Sequence, residues 1–378
     1  MIRSSCLPTG LSSFITHFSN LTDPRTTYRG NLRHSLTDII FLVISAVVSG
    51  ADSWQSIELF GNNQQDWLRT YIALPFGIPS HDTLGRFFSA LDHQAFSECF
   101  INWVQDLSVL TQGEVIAIDG KRLRGSYDRY SDKKAIHMVS AFATDNGLCL
   151  GQCVCEDKSN EITAIPELLE IIALKGSTVT IDAIGCQTDI AEKIISKEAD
   201  YILAVKNNQK DLYEQIRKLF KITKPSSTDT THNTGHGRVE TRSCSVIEDL
   251  TFLDSDKQWK GLKTIIKIDS ERFTKIDKKS QKETRYYISS LPPEAAAMNK
   301  KIRNHWAIEN TLHWMLDVNF NEDASRKRMG YSASNYNIIT KVALSLITKT
   351  EAKKGVSQKN KRYLAALSSQ FREKVLKI

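Results

Sequence analysis

The chain has 378 residues, 41% hydrophobic and 25% charged, with few Gly and Pro, the balance of a soluble globular protein with room for two or three domains. Its longest apolar run, residues 39–48, falls short of the about 20 residues that cross a bilayer, so a membrane-embedded role is excluded and a buried helix is expected. The formal net charge of +7 is carried by residues 349–378, which hold nine Lys or Arg against two Glu.

In chain order, residues 1–110 read as a helical domain. An apolar stretch over 36–49 is followed by an amphipathic one over 54–68 and a break between Pro75 and Pro79. Ser80-His81-Asp82-Thr83 then opens a helix to about Leu91, and Asp92 caps another to about Leu107. Two short helices on a tight turn fit either a helix-turn-helix that reads a DNA end or plain helical packing. Arg25, Arg29, Arg33, His34 and Arg86 are the basic residues open to the first use.

After Gln112 the hydrophobic period changes. Val115-Ile116-Ala117-Ile118 is a short buried strand that ends in Asp119, and Gly120-Lys121 turns the chain away. A carboxylate there is a turn-former or part of a site, because burying its charge is costly unless charge or hydrogen bonds surround it. Strands over 135–143 and 148–155 flank the turn Asp145-Asn146-Gly147. A helix over 161–174, a strand over 177–181 ending in Asp182, a helix over 187–197, a strand over 201–205 and a helix over 209–220 follow. This order predicts an α/β fold, a mixed sheet flanked by helices as in ribonuclease H-like domains, over residues 111–350. Residues 222–294 interrupt it as a β-rich insertion, with a polar loop over 222–236 and strands over 238–247, 262–270 and 284–290. Helix returns from about Glu294, and a last core helix spans about 334–347. Residues 351–378 read as a basic tail, suited to a polyanion such as nucleic acid or merely solvated.

Three carboxylates stand out. If the strands ending in Asp119 and Asp182 are adjacent and parallel, their carboxyl ends open into one crevice. A late helix across that edge would bring Glu309, 127 positions beyond Asp182, to the same point. Such a trio would repel unless cations sat between its members, and oxygen ligands without thiolates favour Mg²⁺ or Mn²⁺. Two ions about 4 Å apart suit an in-line phosphoryl transfer. The seven cysteines show no C-x-x-C or zinc-ribbon spacing and read as reduced thiols of a cytosolic protein; the N-terminus carries no pattern of a secretory signal.

The ordered set Ile118-Asp119-Gly120-Lys121, Thr180-Ile181-Asp182-Ala183-Ile184-Gly185-Cys186-Gln187, Ala204-Val205-Lys206-Asn207-Asn208-Gln209, His236-Gly237-Arg238-Val239-Glu240 and Arg303-Asn304-His305-Trp306-Ala307-Ile308-Glu309-Asn310 resembles insertion-sequence transposases of the DDE superfamily, and among these H-repeat-associated proteins. Asp317-Val318 and Asn321-Glu322-Asp323 add to it, and Gly50-Ala51-Asp52-Ser53-Trp54 with Ile78-Pro79-Ser80-His81-Asp82-Thr83 resembles the associated N-terminal domain. The resemblance implies a metal-dependent recombinase in which Asp119, Asp182 and Glu309 hold Mg²⁺ or Mn²⁺, two ions in all. Its partners would be double-stranded DNA, at the element ends and the target, and a second copy of the chain, in the bacterial cytoplasm and on the nucleoid. Two other readings share the motifs: a transposition-inactive DNA-binding relic, and a structure-specific nuclease on the same fold.

Related transposases carry a Tyr and an Arg before the Glu and a Lys after it. At those offsets stand Ile302, His305 and Leu316, so these roles are open, with His305, Arg303, Arg326, Lys327 and Arg328 as candidate substitutes. Lys121, Arg122 and Lys206 flank the site and are expected to touch phosphates, or else to be solvated. His236, Arg238 and Arg242 would form a DNA-facing edge of the insertion, Arg238 and Arg242 lying on one strand face. His305, Glu309 and His313 fall on one helical stripe, but without an H-E-x-x-H order zinc is not favoured. Trp306 and Trp314 are expected to pack in the core rather than to stack on a base.

Overall fold

Two periodicities divide the chain, helical before Gln112 and alternating after it, and a computed structural model turns them into a helical layer against a large sheet. Residues 16–25, 32–107, 110–127, 134–155, 161–235, 237–254, 258–274 and 279–377 are described. The first layer holds α1 (Leu36–Val48), α2 (Trp54–Asn63), α3 (Gln65–Leu68), α4 (His81–Ala90) and α5 (His93–Leu107). α1 is apolar all round and buried along nearly its whole length; Ser35 caps it by accepting from the Asp38 backbone N–H.

The sheet comprises β1 (Val115–Arg122), β2 (His137–Ala143), β3 (Leu148–Cys155), β4 (Thr178–Ile181), β5 (Asp200–Val205), β6 (Ser227–Gly235), β7 (Arg238–Ile247), β8 (Thr264–Thr274) and β9 (Lys279–Ser289). Their order is β3-β2-β1-β4-β5-β9-β8-β7-β6. β1 is antiparallel to β2 and parallel to β4, and β4 is parallel to β5. Three helices lie between these strands in the chain: α6 (Glu161–Ile171), α7 (Thr188–Ser196) and α8 (Lys210–Ile222). The short central strand β4 is buried end to end, as a strand covered on both faces must be.

The insertion continues this sheet. β9 pairs antiparallel with β5, so β6 to β9 extend one edge of the mixed sheet. Residues 227–235, expected within a polar loop, form the edge strand β6, whose Ser, Thr and Asn side chains need no apolar face because one side has no neighbouring strand.

After the insertion come α9 (Ala295–His305), a π-helical segment (Ile308–His313), α10 (Trp314–Phe320) and α11 (Ser332–Lys349). α11 packs against α1, α4 and α5 and reaches the sheet, where the Lys341 ammonium donates to Ser140 Oγ at 2.7 Å and Gln152 Oε1 at 2.6 Å.

Two expectations change here, and of the two readings of the helices over 80–107 the packing one is favoured: α5 packs on β3 and α11 and buries Phe96, Phe100, Trp103 and Val104. Arg242 is 7% exposed and donates to Asn299 Oδ1 on α9 at 2.8 Å, so the strand face it was expected to turn to DNA is covered by that helix. The basic C-terminal stretch folds into α12 (Gln358–Leu367) and α13 (Ser369–Leu376). Arg362 donates to the Val47 carbonyl, and Arg372, 1% exposed, donates to Gln64 Oε1 and stacks on Trp67. Guanidinium groups satisfy carbonyls and aromatic faces well enough to be buried, which a charge count cannot anticipate.

Candidate active site

β1 opens with four buried residues, Val115, Ile116, Ala117 and Ile118. Ile118 pairs with Ile181 on the parallel strand β4. The residues that follow are acids, Asp119 within β1 and Asp182 just past the end of β4. Contrary to expectation β1 does not end at Asp119, and Gly120-Lys121 does not turn the chain away, because the strand stays paired with β2 as far as Arg122. Asp182 also accepts from the Ile184 backbone N–H at 3.0 Å, closing the turn after β4, so it serves as turn-former and as cavity wall at once.

Glu309 comes from the π-helical segment, where the hydrogen-bond ring widens by one residue. In a plain α-helix Glu309 and His313 would stack on one face. Here His313 is buried with Nδ1 3.5 Å from Asp119 Oδ2, while Glu309 stays exposed at the opening. His313 Nε2 has no hydrogen-bond partner. Asp119, Asp182 and Glu309 line one cavity of about 260 Å³, together with Lys206, Arg285, His305 and Trp306.

The charges of this cavity oppose one another. Burial raises the Asp119 carboxyl to about 7, and the negative charges of Glu309, Asp182 and Glu161 add to the effect. Asp182 is raised for the same first reason, then by Glu161, and is eased by Lys206. A divalent cation would relieve that repulsion, and the donors are carboxylate oxygens with no cysteine in the lining, which fits a hard ion such as Mg²⁺ or Mn²⁺. Among the described residues no three His, Cys, Asp or Glu side chains are closed up as a finished metal shell; the three acids share an open cavity instead.

The expected cations are placed unequally. Lys206 is exposed and lines the cavity. His305 lines it too, but its Nδ1 lies 3.0 Å from Thr180 Oγ1 and burial holds its imidazole down at about 4, so it is a neutral prop for β4 and not a phosphate-binding cation. Lys121 is turned away from any substrate: its ammonium meets Asp317 at 2.5 Å and Glu322 at 2.7 Å and donates to the His313 carbonyl. Arg122 is exposed and lines a neighbouring cavity of about 1030 Å³ with Arg124 and Lys134. Arg326 and Arg328 line a separate groove of about 810 Å³ with His81 and Arg86. Arg303 is exposed and 3.6 Å from Glu240, and Arg238 is exposed at the start of β7. His236 lies outside the described residues. Arg25, near the N-terminus, is bound to Asp23 and to the His34 carbonyl, and Arg29 lies outside the described residues.

Several residues in or beside the site were not legible as such. Arg285 arrives from β9. Glu161 starts α6 and binds His137 Nε2 at 2.6 Å, and the pair occupies the space where a side chain at Gly120 would stand. Trp306 lines the cavity rather than the core, and Trp314 is 53% exposed. Only the missing Cβ of Gly120, next to Asp119, signalled a close approach.

Comparison with known proteins shows the family of the chain. Residues 110–346 match the transposase DDE domain and residues 15–104 the DDE_Tnp_1-associated domain. The chain is 45% identical over 373 residues to "Putative transposase YncI" of Escherichia coli O157:H7, covering 97% of this chain and 95% of that one. It is 40% identical over 376 residues to "H repeat-associated putative transposase YhhI" of Escherichia coli K12, covering 97% and 98%. The chain belongs to the DDE transposase family, in its H-repeat-associated branch.

Proposed function

We propose that this chain cleaves DNA strands at the ends of an insertion-sequence element and joins the freed 3′ ends to target DNA, on a ribonuclease H-like core, with Asp119, Asp182 and Glu309 as its catalytic carboxylates. The observation that carries the reading is that three acids from β1, the end of β4 and the π-helical segment line one cavity. The strand order β3-β2-β1-β4-β5, with β2 antiparallel to β1, supports the core assignment.

The chain's own residues then have separable tasks. Asp119 lies within β1 and Asp182 just past β4, so the sheet fixes their spacing, while Glu309 comes from the π-helical segment. Two Mg²⁺ or Mn²⁺ ions held there would activate the attacking oxygen and stabilise the leaving one. His313 backs Asp119, and the Lys121 cluster ties β1 to α10 and to the loop after it. Lys206 offers positive charge at the opening, where a DNA phosphate would arrive. Exposed Arg122, Arg238, Arg303, Arg326 and Arg328 are further candidates for backbone contacts. A reaction on two element ends calls for two copies of the chain on DNA, in the bacterial cytoplasm.

The test is a strand-transfer assay with DNA ends cut from the sequence on either side of the gene, where an insertion-sequence element would carry its inverted repeats. Wild-type protein with Mg²⁺ or Mn²⁺ should join a precut repeat end to a plasmid. Cleavage without joining would favour a structure-specific nuclease, and binding with neither would favour an inactive relic.

A further inference from the structure

A phosphodiester entering a cavity with three carboxylates needs positive charge opposite them, and of the basic residues singled out in the sequence Lys206 is the one that lines this cavity as a charged group. The structure adds a second cation. β9 pairs Tyr286 with Val205 on β5, so one step further Arg285 comes beside Lys206, and both line the carboxylate cavity. Its guanidinium carbon lies 4.8 Å from the centre of the Trp306 ring. Glu283 accepts from Nε at 2.8 Å and from Nη2 at 2.9 Å. A planar group backed by an indole and clamped along one edge is held in one orientation, and a guanidinium has five N–H donors, more than Glu283 uses.

The other basic groups near the acids are committed elsewhere. Lys121 is spent on Asp317 and Glu322, His305 is neutral against Thr180, and Arg303 leans to Glu240. We propose that Arg285, backed by Trp306 and beside Lys206, binds a phosphate of the DNA strand held at the carboxylates and so does the work of the arginine that the family pattern places before the Glu. This rests on the function proposed above and adds a residue to it.

The experiment uses the full chain and two readouts. The first is binding of a fluorescein-labelled DNA duplex across a salt series in Ca²⁺. Losing one phosphate contact should lower the slope of log affinity against log salt by about 0.9 in Arg285→Gln, and Arg285→Lys should restore it. The second is Mn²⁺-dependent nicking of supercoiled plasmid, which Arg285→Gln should slow by about 100-fold, the scale of one charge-assisted donor lost at a reacting centre. Thermal midpoints within a few degrees of wild type show that the variants fold. A salt slope unchanged in Arg285→Gln overturns the assignment, whatever the nicking rate. If Asp119→Asn nicks at the wild-type rate, the carboxylate reading fails, and the salt slope still decides the role of Arg285.

Discussion

Asp119 and Asp182 occupy matching places on neighbouring parallel strands, one step past the paired Ile118 and Ile181. Parallel strands run about 4.8 Å apart, and residues in register project to the same face. Two acids are therefore held together by backbone hydrogen bonds and a buried apolar core, not by any attraction between themselves. The Asp119 carboxyl is raised first by burial and then by the charge of Glu309, with Asp182 adding less.

Lys121, two residues from Asp119, is expected to be structural. It is 14% exposed and Glu322 is 6% exposed, so Lys121→Met would leave buried negative charge unpaired. Urea unfolding should show a loss of about 3 kcal/mol or more. The slope of DNA affinity against salt should stay at its wild-type value. A stable variant with a reduced slope would restore Lys121 to the phosphate-binding role that its position in sequence suggests.

Gly120 leaves room for the His137–Glu161 pair, since a methyl at that position would overlap Glu161 Oε1 and His137 Nε2. Gly120→Ala should cost about 1 to 3 kcal/mol in urea. Adding Glu161→Ala should recover most of that loss by removing one of the overlapping groups. No recovery in the double variant would place the strain in the backbone of β1 instead.

Much of this arrangement is legible in the amino-acid sequence. β4 is an apolar run followed by an acid, β1 opens with one, although it runs on past Asp119 to Arg122, and Asp145-Asn146-Gly147 marks the hairpin between β2 and β3. What escaped is set by register between distant segments. Arg285 reaches the site only because Tyr286 pairs with Val205, and nothing local to residue 285 announces that. β6 escaped because an edge strand of Ser, Thr and Asn has no apolar alternation to read. The C-terminal helices escaped because their arginines look solvated, whereas Arg362 and Arg372 turn inward onto carbonyls and aromatic rings.

His305 makes stability depend on pH with a defined sign. Burial holds its imidazole at about 4 in the folded chain, while an unfolded chain protonates near 6.5. The unfolded state thus takes up the proton first as pH falls. The part of the stability that depends on His305 is full above about 6.5 and drains away on acidification towards about 4, by roughly 3 kcal/mol. Urea midpoints of wild type and His305→Asn, followed over that range, should converge as the pH falls. Parallel curves would mean that His305 carries no part of the acid sensitivity.

The central claim is that the three acids perform the chemistry and do not hold the DNA. Asp119→Asn, Asp182→Asn and Glu309→Gln should be measured side by side for Mn²⁺-dependent nicking of supercoiled plasmid and for DNA affinity by anisotropy. Each should lose nicking by about 100-fold or more and keep affinity within about threefold of wild type, as expected for groups acting at the reacting phosphate. Nicking at the wild-type rate in any of the three, or loss of affinity in step with loss of nicking, would contradict it.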